Sequence, residues 1–239
     1  MNPQHCAQKT ANAVQVLGAR FMLDPVTFKT GPELGLPKGL PGYVMGRFGT
    51  IGDISAEEAS AAAWCWNPSQ IKENWIEDFS PALAGALYGQ ICAERGRDYL
   101  NGFSGAARLV ELAEKIVDSA DGENAPTFTG WRNVNRPDDT EGRSYLLIQV
   151  LRELRFCRHI VAAKSLNVSP VGLVKLKSSY NINLFGWGDS DDSPTVQEIS
   201  DEVESLTAES SGKDHEVLDE DERNEYVELV LAALAYADQ

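Results

Sequence analysis

Apolar residues recur at helical spacing along most of the chain, and no segment shows the sustained alternation that is typical of a half-buried strand. In the first helical segment, residues 4–23, the apolar positions include Ala7, Ala11, Val14 and Leu17. Apolar stripes of the same kind lie in residues 55–66, 81–100, 104–121, 140–166 and 219–237. The pattern predicts an all-α fold of roughly nine helices.

The longest uninterrupted segment runs from Asp139 to Leu166 and contains no Pro or Gly after its first turn. It is apolar on two sides, with Leu147, Val150, Leu154 and Cys157 on one face and Tyr145, Ile148 and Phe156 on or beside the other. A helix that is apolar on two sides is usually buried between other helices. The sequence therefore predicts a multi-helix, bundle-like domain around this central helix.

The chain divides by charge. Seventeen acidic and two basic residues lie from Trp187 onward, whereas the rest has nineteen of each, so this last part accounts for the whole net charge of −15. We expect a helical core domain in residues 1–166 and an acidic helical region in 167–239 that packs on the core. Phosphate backbones bind through Lys and Arg, so nucleic acid is an improbable partner for the acidic region. Solvation of a surface explains such an acid run most simply, and docking to a basic partner is the alternative.

The last two helices are predicted with a polar linker, residues 208–217, between them. The final helix carries Tyr226, Val227, Val230, Leu231 and Leu234 on one face, so it packs on the body or on a second subunit, most simply in a homodimer.

No apolar run is long enough to span a membrane, and no secretory signal pattern is present at the start. The four cysteines are scattered without a C-x-x-C pair, which favours free thiols in a reducing cytoplasm.

Three cations of the central helix are the strongest candidates for a site. Arg152, Arg155 and His159 fall within about 60° of one another on a helix that turns ~100° per residue. Buried cations need partners or a ligand. Tyr145 lies on or beside the same stripe.

Two other segments contribute candidate residues. The segment 42–53 has glycines at every third position but lacks the fingerprints of nucleotide-binding loops, so close helix packing explains it better. Its Arg47 and Asp53 form either a structural pair or a ligand contact. The predicted loop 123–138 places Trp131 and Arg132 near the site, or covers the core.

The ordered set GPELGLP, GYVMGRFGTIGDIS, NPSQIKENW, FTGWR, RPDD, LRELRFCRHIVAA and LFGW resembles the SalK-like helix-turn-helix proteins of actinobacteria over about residues 20–188. The resemblance implies an almost wholly helical fold, with a winged helix-turn-helix around and after residues 169–188, and a setting near natural-product pathways. The family pattern L-R-E-H-R-x-x-x-H is matched by Arg152, Glu153, Arg155 and His159, but Leu154 replaces its middle His. An acidic stretch also replaces the usual basic wing after Trp187, leaving a degenerate winged-helix-like region.

Two hypotheses follow. In the first, the protein binds a small molecule, anionic or carbonyl-bearing, in an Arg/His-lined internal pocket, as an enzyme or an accessory protein of a specialised-metabolite pathway. The catalytic candidates are then His159, as acid–base residue, and Glu153. Arg152 and Arg155 orient the ligand, and the other contacts come from Arg47, Asp53, Trp131, Arg132 and Tyr145. In the second, it is a winged-helix-derived regulator or scaffold that acts through protein contacts. With three scattered His residues, no metal site and no cofactor are expected.

Overall fold

The computed structural model describes all of residues 1–239 and contains twelve α-helices, two short 3₁₀-helices and no strand. The first six helices are α1 (Pro3–Ala19), α2 (Pro25–Glu33), α3 (Leu40–Gly49), α4 (Ala56–Ala62), α5 (Pro68–Glu73) and α6 (Pro81–Tyr99). The other six are α7 (Ala106–Ser119), α8 (Pro126–Arg132), α9 (Thr140–Ser165), α10 (Pro170–Lys177), α11 (Gln197–Asp214) and α12 (Glu220–Ala237). The 3₁₀-helices are Arg20–Leu23 and Ser179–Asn181. The predicted all-α fold is confirmed.

The central helix of the fold is α9. Asp139 caps its start, because its Oδ1 accepts a hydrogen bond of 2.8 Å from the backbone N–H of Gly142. Helices α1, α6, α7, α8 and α11 pack around it, and both apolar faces are buried except at the partly exposed Phe156. The predicted arrangement around a buried central helix is therefore confirmed.

Capping residues begin several of the other helices. Ser55 and Glu58 form a reciprocal capping box at α4, and Ser80 Oγ accepts from Leu83 N at the start of α6. A second box, Asp219 with Glu222, begins α12. These bonds satisfy backbone N–H groups that the first helical turn leaves without partners.

Glycines let α3 and α6 approach until their backbones touch. A Cβ added at Gly85 of α6 would lie 2.3 Å from Thr50 N and 2.4 Å from Gly49 C. A Cβ at Gly49 would lie 2.0 Å from the carbonyl oxygen of Pro81, and one at Gly46 would lie 2.5 Å from Cγ of Tyr88. The regular glycines of this segment serve close packing, as the sequence indicated.

Two segments predicted to be irregular, 208–217 and 123–138, contain helix, and so does the Pro- and Gly-rich interval 24–42. Residues 208–214 continue α11, so the predicted polar linker shrinks to a short turn before α12. Helix α2 lies in the Pro- and Gly-rich interval 24–42, and α8 lies in the predicted loop 123–138. Pro at the first position of α2 and α8 is compatible with a helix start, because that position has no intrahelical use for its N–H.

The acidic helices pack on the body. Helix α11 lies against α1 and α9, and α12 lies against α1 and α7. Tyr226, Val227 and Val230 of α12 are part of the main hydrophobic core, whereas Leu231 is 46% exposed. A homodimer through α12 stays a prediction, and it would have to use the outer side of the helix. None of the helices combines the length and the apolar character that crossing a membrane requires.

Candidate functional site

The polar side chains of α9 divide between two surroundings. Arg152 and Glu153 point into the interior beside α3, whereas Arg155 and His159 contact α11. The structure therefore separates the three cations that share one stripe in the sequence. Each surrounding has its own chemistry.

The interior group is centred on Glu153, which is fully buried. Arg47 of α3 donates to both of its carboxylate oxygens, at 3.1 and 3.2 Å. Arg152 Nη1 and Gln149 Nε2 donate to its Oε1 at 2.7 and 3.0 Å. The guanidinium of Arg47 also lies 4.9 Å from the ring centre of Phe156. We call Arg47, Gln149, Arg152 and Glu153 the interior network.

The interior network holds two cations and one carboxylate. Burial alone would raise the pKa of Glu153, but Arg47 and Arg152 outweigh it and keep the pKa below its ordinary value. Burial, reinforced by the nearby Arg47, lowers the pKa of Arg152. The one carboxylate is shared, so the network carries an excess positive charge.

Close packing surrounds the interior network. A Cβ added at Gly18 of α1 would lie 3.1 Å from Cβ and Cδ of Arg152 and 3.3 Å from Oε1 of Gln149. Arg152 Nε and Gln149 Oε1 are buried and have no hydrogen-bond partner. The contacts of Arg47 and Glu153 within the chain already account for a structural role, because a buried carboxylate needs such donors.

Two aromatic candidates are also built into the core. Tyr145 donates from its hydroxyl to the carbonyl of Leu17 at 2.8 Å and accepts from the N–H of Phe21 at 3.1 Å, so it ties down the end of α1. Trp131 is fully buried, with its ring centre 6.0 Å from that of Phe21. Its Nε1 has no partner.

Asp53 and Arg132 lie away from the interior network. Asp53 is exposed, and its Oδ1 accepts from Ser80 Oγ at 3.1 Å and Ala82 N at 3.2 Å, which supports the start of α6. Arg132 Nη1 donates to the carbonyl of Ala120 at 2.9 Å. Both side chains therefore have structural contacts of their own.

A cleft lies where α1, α9 and α11 meet, and Arg155 of α9 lines it. Its volume is about 310 Å³, and its lining consists of Ala7, Gln8, Ala11, Arg155, Asp201, Glu204, Ser205, Ala208 and Ser211. We call it the Arg155 cleft. Small side chains explain the space, since alanines of α1 face an alanine and serines of α11. Next to it, the backbones touch, because a Cβ at Gly212 would lie 2.9 Å from Cα of Gln4.

Arg155 and Glu204 form an ion pair in this cleft. Arg155 Nη2 donates to Glu204 Oε2 at 2.5 Å, and this is the one hydrogen bond that the Arg155 side chain makes. Glu204 is 37% exposed, so the pair lies at the mouth of the cleft. The remaining N–H groups of this guanidinium are available to another acceptor.

Ser211 is the buried polar residue of the Arg155 cleft. It is 5% exposed, and its Oγ has no hydrogen-bond partner. A Ser within a helix commonly bonds to the carbonyl one turn earlier, and Ser211 forgoes that bond. It also lines a smaller adjoining cavity of about 20 Å³ that reaches Thr10, His215 and Tyr226.

His159 contacts the cleft through Glu204. Its Nδ1 lies 3.7 Å from Glu204 Oε1 and 3.3 Å from Thr207 Oγ1. Thr207 already donates its hydroxyl hydrogen to the carbonyl of Val203 at 2.7 Å, so it accepts from His159 and the imidazole carries its hydrogen on Nδ1. Burial lowers the pKa of His159, and the neutral ring is therefore the form at neutral pH.

Two buried polar residues at the end of α11, beside the Arg155 cleft, were not predicted from the sequence. Asp214 accepts two hydrogen bonds from Arg158, at 3.0 and 2.8 Å, and His215 Nδ1 lies 2.7 Å from the carbonyl of Ser211. Both residues are in or beside the predicted linker. Their polar surroundings in the sequence gave no sign that they would be buried.

A larger, open groove of about 450 Å³ lies between α3, α6 and the end of α8. Its lining consists mainly of Gly, Ala and exposed amide side chains, among them Gln90, Asn133 and Asn135. The lining contains no buried polar side chain that lacks a partner. The Arg155 cleft is therefore the better candidate site.

The model of a helix-turn-helix family matches residues 7–183. The chain belongs to this helix-turn-helix family. No curated protein and no solved structure gives a significant match. The matched part of the helix-turn-helix protein ends before α11, so one wall of the Arg155 cleft lies outside it.

The segment expected to form the winged module has no wing, because the structure contains no strand. Helix α10 follows α9 after a turn of four residues. Lys175 on α10 donates to the carbonyls of Ser190 and Asp192, at 2.5 and 2.6 Å. The acidic segment that follows Trp187 is thus folded against Lys175 of α10.

Proposed function

We propose that the protein binds a small molecule in the Arg155 cleft. The observation that carries the proposal is the buried Ser211 Oγ, which has no partner in a cleft that Arg155 also lines. Leaving a buried hydroxyl without a partner costs about 1–3 kcal/mol, and a polar ligand would supply the missing bond. The cleft is at the lower end of the volumes, about 300–1,000 Å³, that small-molecule sites usually have.

The expected ligand presents a carbonyl or carboxylate to Arg155. The guanidinium makes one hydrogen bond within the chain, which leaves its other donors for a planar acceptor. His159 does not line the cleft, and it would influence such a ligand only through Glu204, whose Oε1 lies 3.7 Å from its Nδ1. The interior network would set the position of α9 rather than contact the ligand.

Thiol catalysis does not suit this protein. Burial raises the pKa of Cys6 and of Cys65 to about 11, and it also raises the pKa of Cys92 and Cys157. The reactive form of a cysteine is the thiolate, and these thiols stay protonated at neutral pH. If the ligand is a substrate, its chemistry would depend on carboxylate and imidazole groups.

The second candidate is a regulator, and the match to a helix-turn-helix family is compatible with it. Helix-turn-helix modules commonly place a helix in the major groove of DNA. Here the charge of −15 and the acidic segment against Lys175 oppose binding to phosphates. A regulator that works through protein contacts agrees better with these charges.

The motifs and the cysteines of the chain support three further proposals. We propose kinship with the SalK-like proteins, a role in a specialised-metabolite pathway and a cytoplasmic location. The motifs within residues 20–188 support the first two, and the four free cysteines support the last.

A thermal-denaturation screen of carbonyl, carboxylate and amine-bearing metabolites tests the proposed binding. A ligand at one hundred times its Kd stabilises the native state by about 2.7 kcal/mol. The variant Ser211→Ala should fold at least as stably as the parent, since it removes an unpartnered hydroxyl, and it should lose most of the ligand-induced shift.

The matched control is Ser60→Ala, which removes a hydroxyl of α4 that already donates to the carbonyl of Ala56. It should leave the ligand-induced shift unchanged. The proposal fails if no compound stabilises the wild type, or if a stabilising compound acts equally on Ser211→Ala.

A further inference from the structure

The charges of the Arg155 cleft narrow the class of ligand. One cation, Arg155, lies among two carboxylates, Asp201 and Glu204. Asp214, which lines the adjoining cavity, is already paired with Arg158 and adds no free charge. The cleft thus has an excess of one negative charge, and a plain anion would meet repulsion as well as attraction.

The two carboxylates are neighbours on one face of α11. Residues three apart on a helix lie about 5–6 Å from each other, so Asp201 and Glu204 can share one cation. Asp201 accepts a hydrogen bond of 2.7 Å from Gln197 Nε2, which is neutral, and no basic side chain pairs with it. Arg155 pairs with Glu204 but not with Asp201. A cation bound here would give Asp201 a partner of opposite charge.

The other end of the cleft suits a carboxylate. Arg155 uses one of its N–H groups on Glu204, and a carboxylate can take two parallel bonds from the others. Ser211, whose hydroxyl is buried and has no partner, is one of the residues that line the same cleft. It is an observation independent of the charges, and a polar group of a ligand next to this hydroxyl would be favoured.

We infer that the ligand is a small amino-acid-like zwitterion, with its ammonium group between Asp201 and Glu204 and its carboxylate on Arg155. This inference rests on the proposed binding in the Arg155 cleft. A bound zwitterion has no net charge, so the cleft and the ligand together keep one unit of negative charge, which is shared between carboxylates that are partly exposed to solvent. A dianion would raise that charge, and a neutral ketone would leave Asp201 unpaired.

Isothermal titration of the full-length protein with matched compounds tests the inference. The probes are individual free amino acids, their N-acetyl forms, which lack the ammonium, and their methyl esters, which lack the carboxylate. We expect at least one free amino acid to bind, with both of its modified forms weakened about tenfold or more.

Two variants locate the groups. Asp201→Asn should remove most of the difference in affinity between the amino acid and its N-acetyl form. Arg155→Gln should remove most of the difference in affinity between the amino acid and its methyl ester. Lys115→Gln, a surface change on α7 that affects a pair with Glu222, is the control and should alter neither difference.

The outcomes separate the two proposals. If N-acetyl forms or esters bind as tightly as the free amino acids, or if only non-zwitterionic metabolites stabilise the protein in a Ser211-dependent way, the zwitterion inference is overturned and the proposed binding stands. If no compound of any class binds, both are overturned.

Discussion

Arg47 of α3 and Glu153 of α9 are joined by two hydrogen bonds, 3.1 and 3.2 Å long, in the interior of the protein. The two residues are 106 positions apart in the sequence. A two-bond contact fixes the orientation of both groups, and it therefore ties α3 to the central helix. Arg152 shares the same carboxylate, so the loss of Glu153 would leave two buried cations without an anion.

The first prediction concerns this carboxylate. Glu153→Gln should lower the free energy of unfolding by roughly 3–5 kcal/mol, because breaking a buried ion pair leaves uncompensated charge. Urea denaturation followed by circular dichroism measures the change. Glu204→Gln, which breaks an ion pair at the surface, is the control and should lower it by about 1 kcal/mol or less. Similar losses for both variants would contradict the structural role given to the interior network.

The second prediction concerns the contact between α3 and α6. Gly85→Ala should destabilise the protein at the upper end of the usual 1–3 kcal/mol for overpacking, roughly 3 kcal/mol, because the added methyl group meets backbone atoms that cannot turn aside. Thermal unfolding monitored by calorimetry gives the measurement. Gln90→Ala, an exposed change on the same helix, should stay within about 0.5 kcal/mol. A neutral Gly85→Ala would show that the two helices are farther apart in solution.

The third prediction concerns acid sensitivity. Burial lowers the pKa of His215, although its bond to the Ser211 carbonyl and the nearby Asp214 act in the opposite direction. The unfolded chain therefore takes up a proton at higher pH, near 6.5, than the folded chain does. Stability should be complete above that pH and should decrease as the pH falls from about 6.5 through the lower folded-state pKa.

Urea unfolding at pH 7.5, 6.5 and 5.5 measures this dependence. His215→Asn keeps a side-chain donor but cannot titrate, so its unfolding free energy should vary less over that range. Part of the dependence should remain, since burial lowers the pKa of His159 too. An unchanged slope in the variant would mean that His215 does not titrate in this window.

The fourth prediction separates the small-molecule and regulator hypotheses. The protein should not retard labelled duplex DNA at about 50 mM salt. Nonspecific affinity arises when Lys and Arg displace counterions from the phosphates, and the acidic region has too few basic residues to do so. Gel-shift titration with a pool of random duplexes is the measurement. Retardation that weakens steeply between about 50 and 200 mM salt would favour the DNA-binding regulator.

Sequence patterns predicted the elements whose signals are local. The central helix was placed from Asp139 to Leu166 and is observed as Thr140–Ser165. Such signals, a capping residue and a long apolar period, act within a few turns of chain. By contrast, residues 208–214 look polar, yet they continue α11, since contacts with α1 and α9 bury residues such as Ser211 and Asp214.

The site could be predicted only in part. The sequence drew attention to Arg155, but its partner Glu204 lies 49 residues away in a segment without a motif. Side chains on one helical stripe were expected to share one environment, and the neighbouring helices decide otherwise. Arg152 meets Arg47 and Glu153, whereas Arg155 meets α11. Helical periodicity gives the direction of a side chain, and tertiary packing determines what it contacts.

The position of α1 has a consequence for the order of folding. This helix packs against α9, α11 and α12, and Arg20 at its end donates to the carbonyl of Ala237, 217 residues along the chain. During synthesis, α1 leaves the ribosome long before its neighbours exist, and its apolar face stays uncovered meanwhile. The wall of the Arg155 cleft that α11 supplies is added late as well, so a nascent chain that stops after α10 has α1 and α9 but lacks this wall.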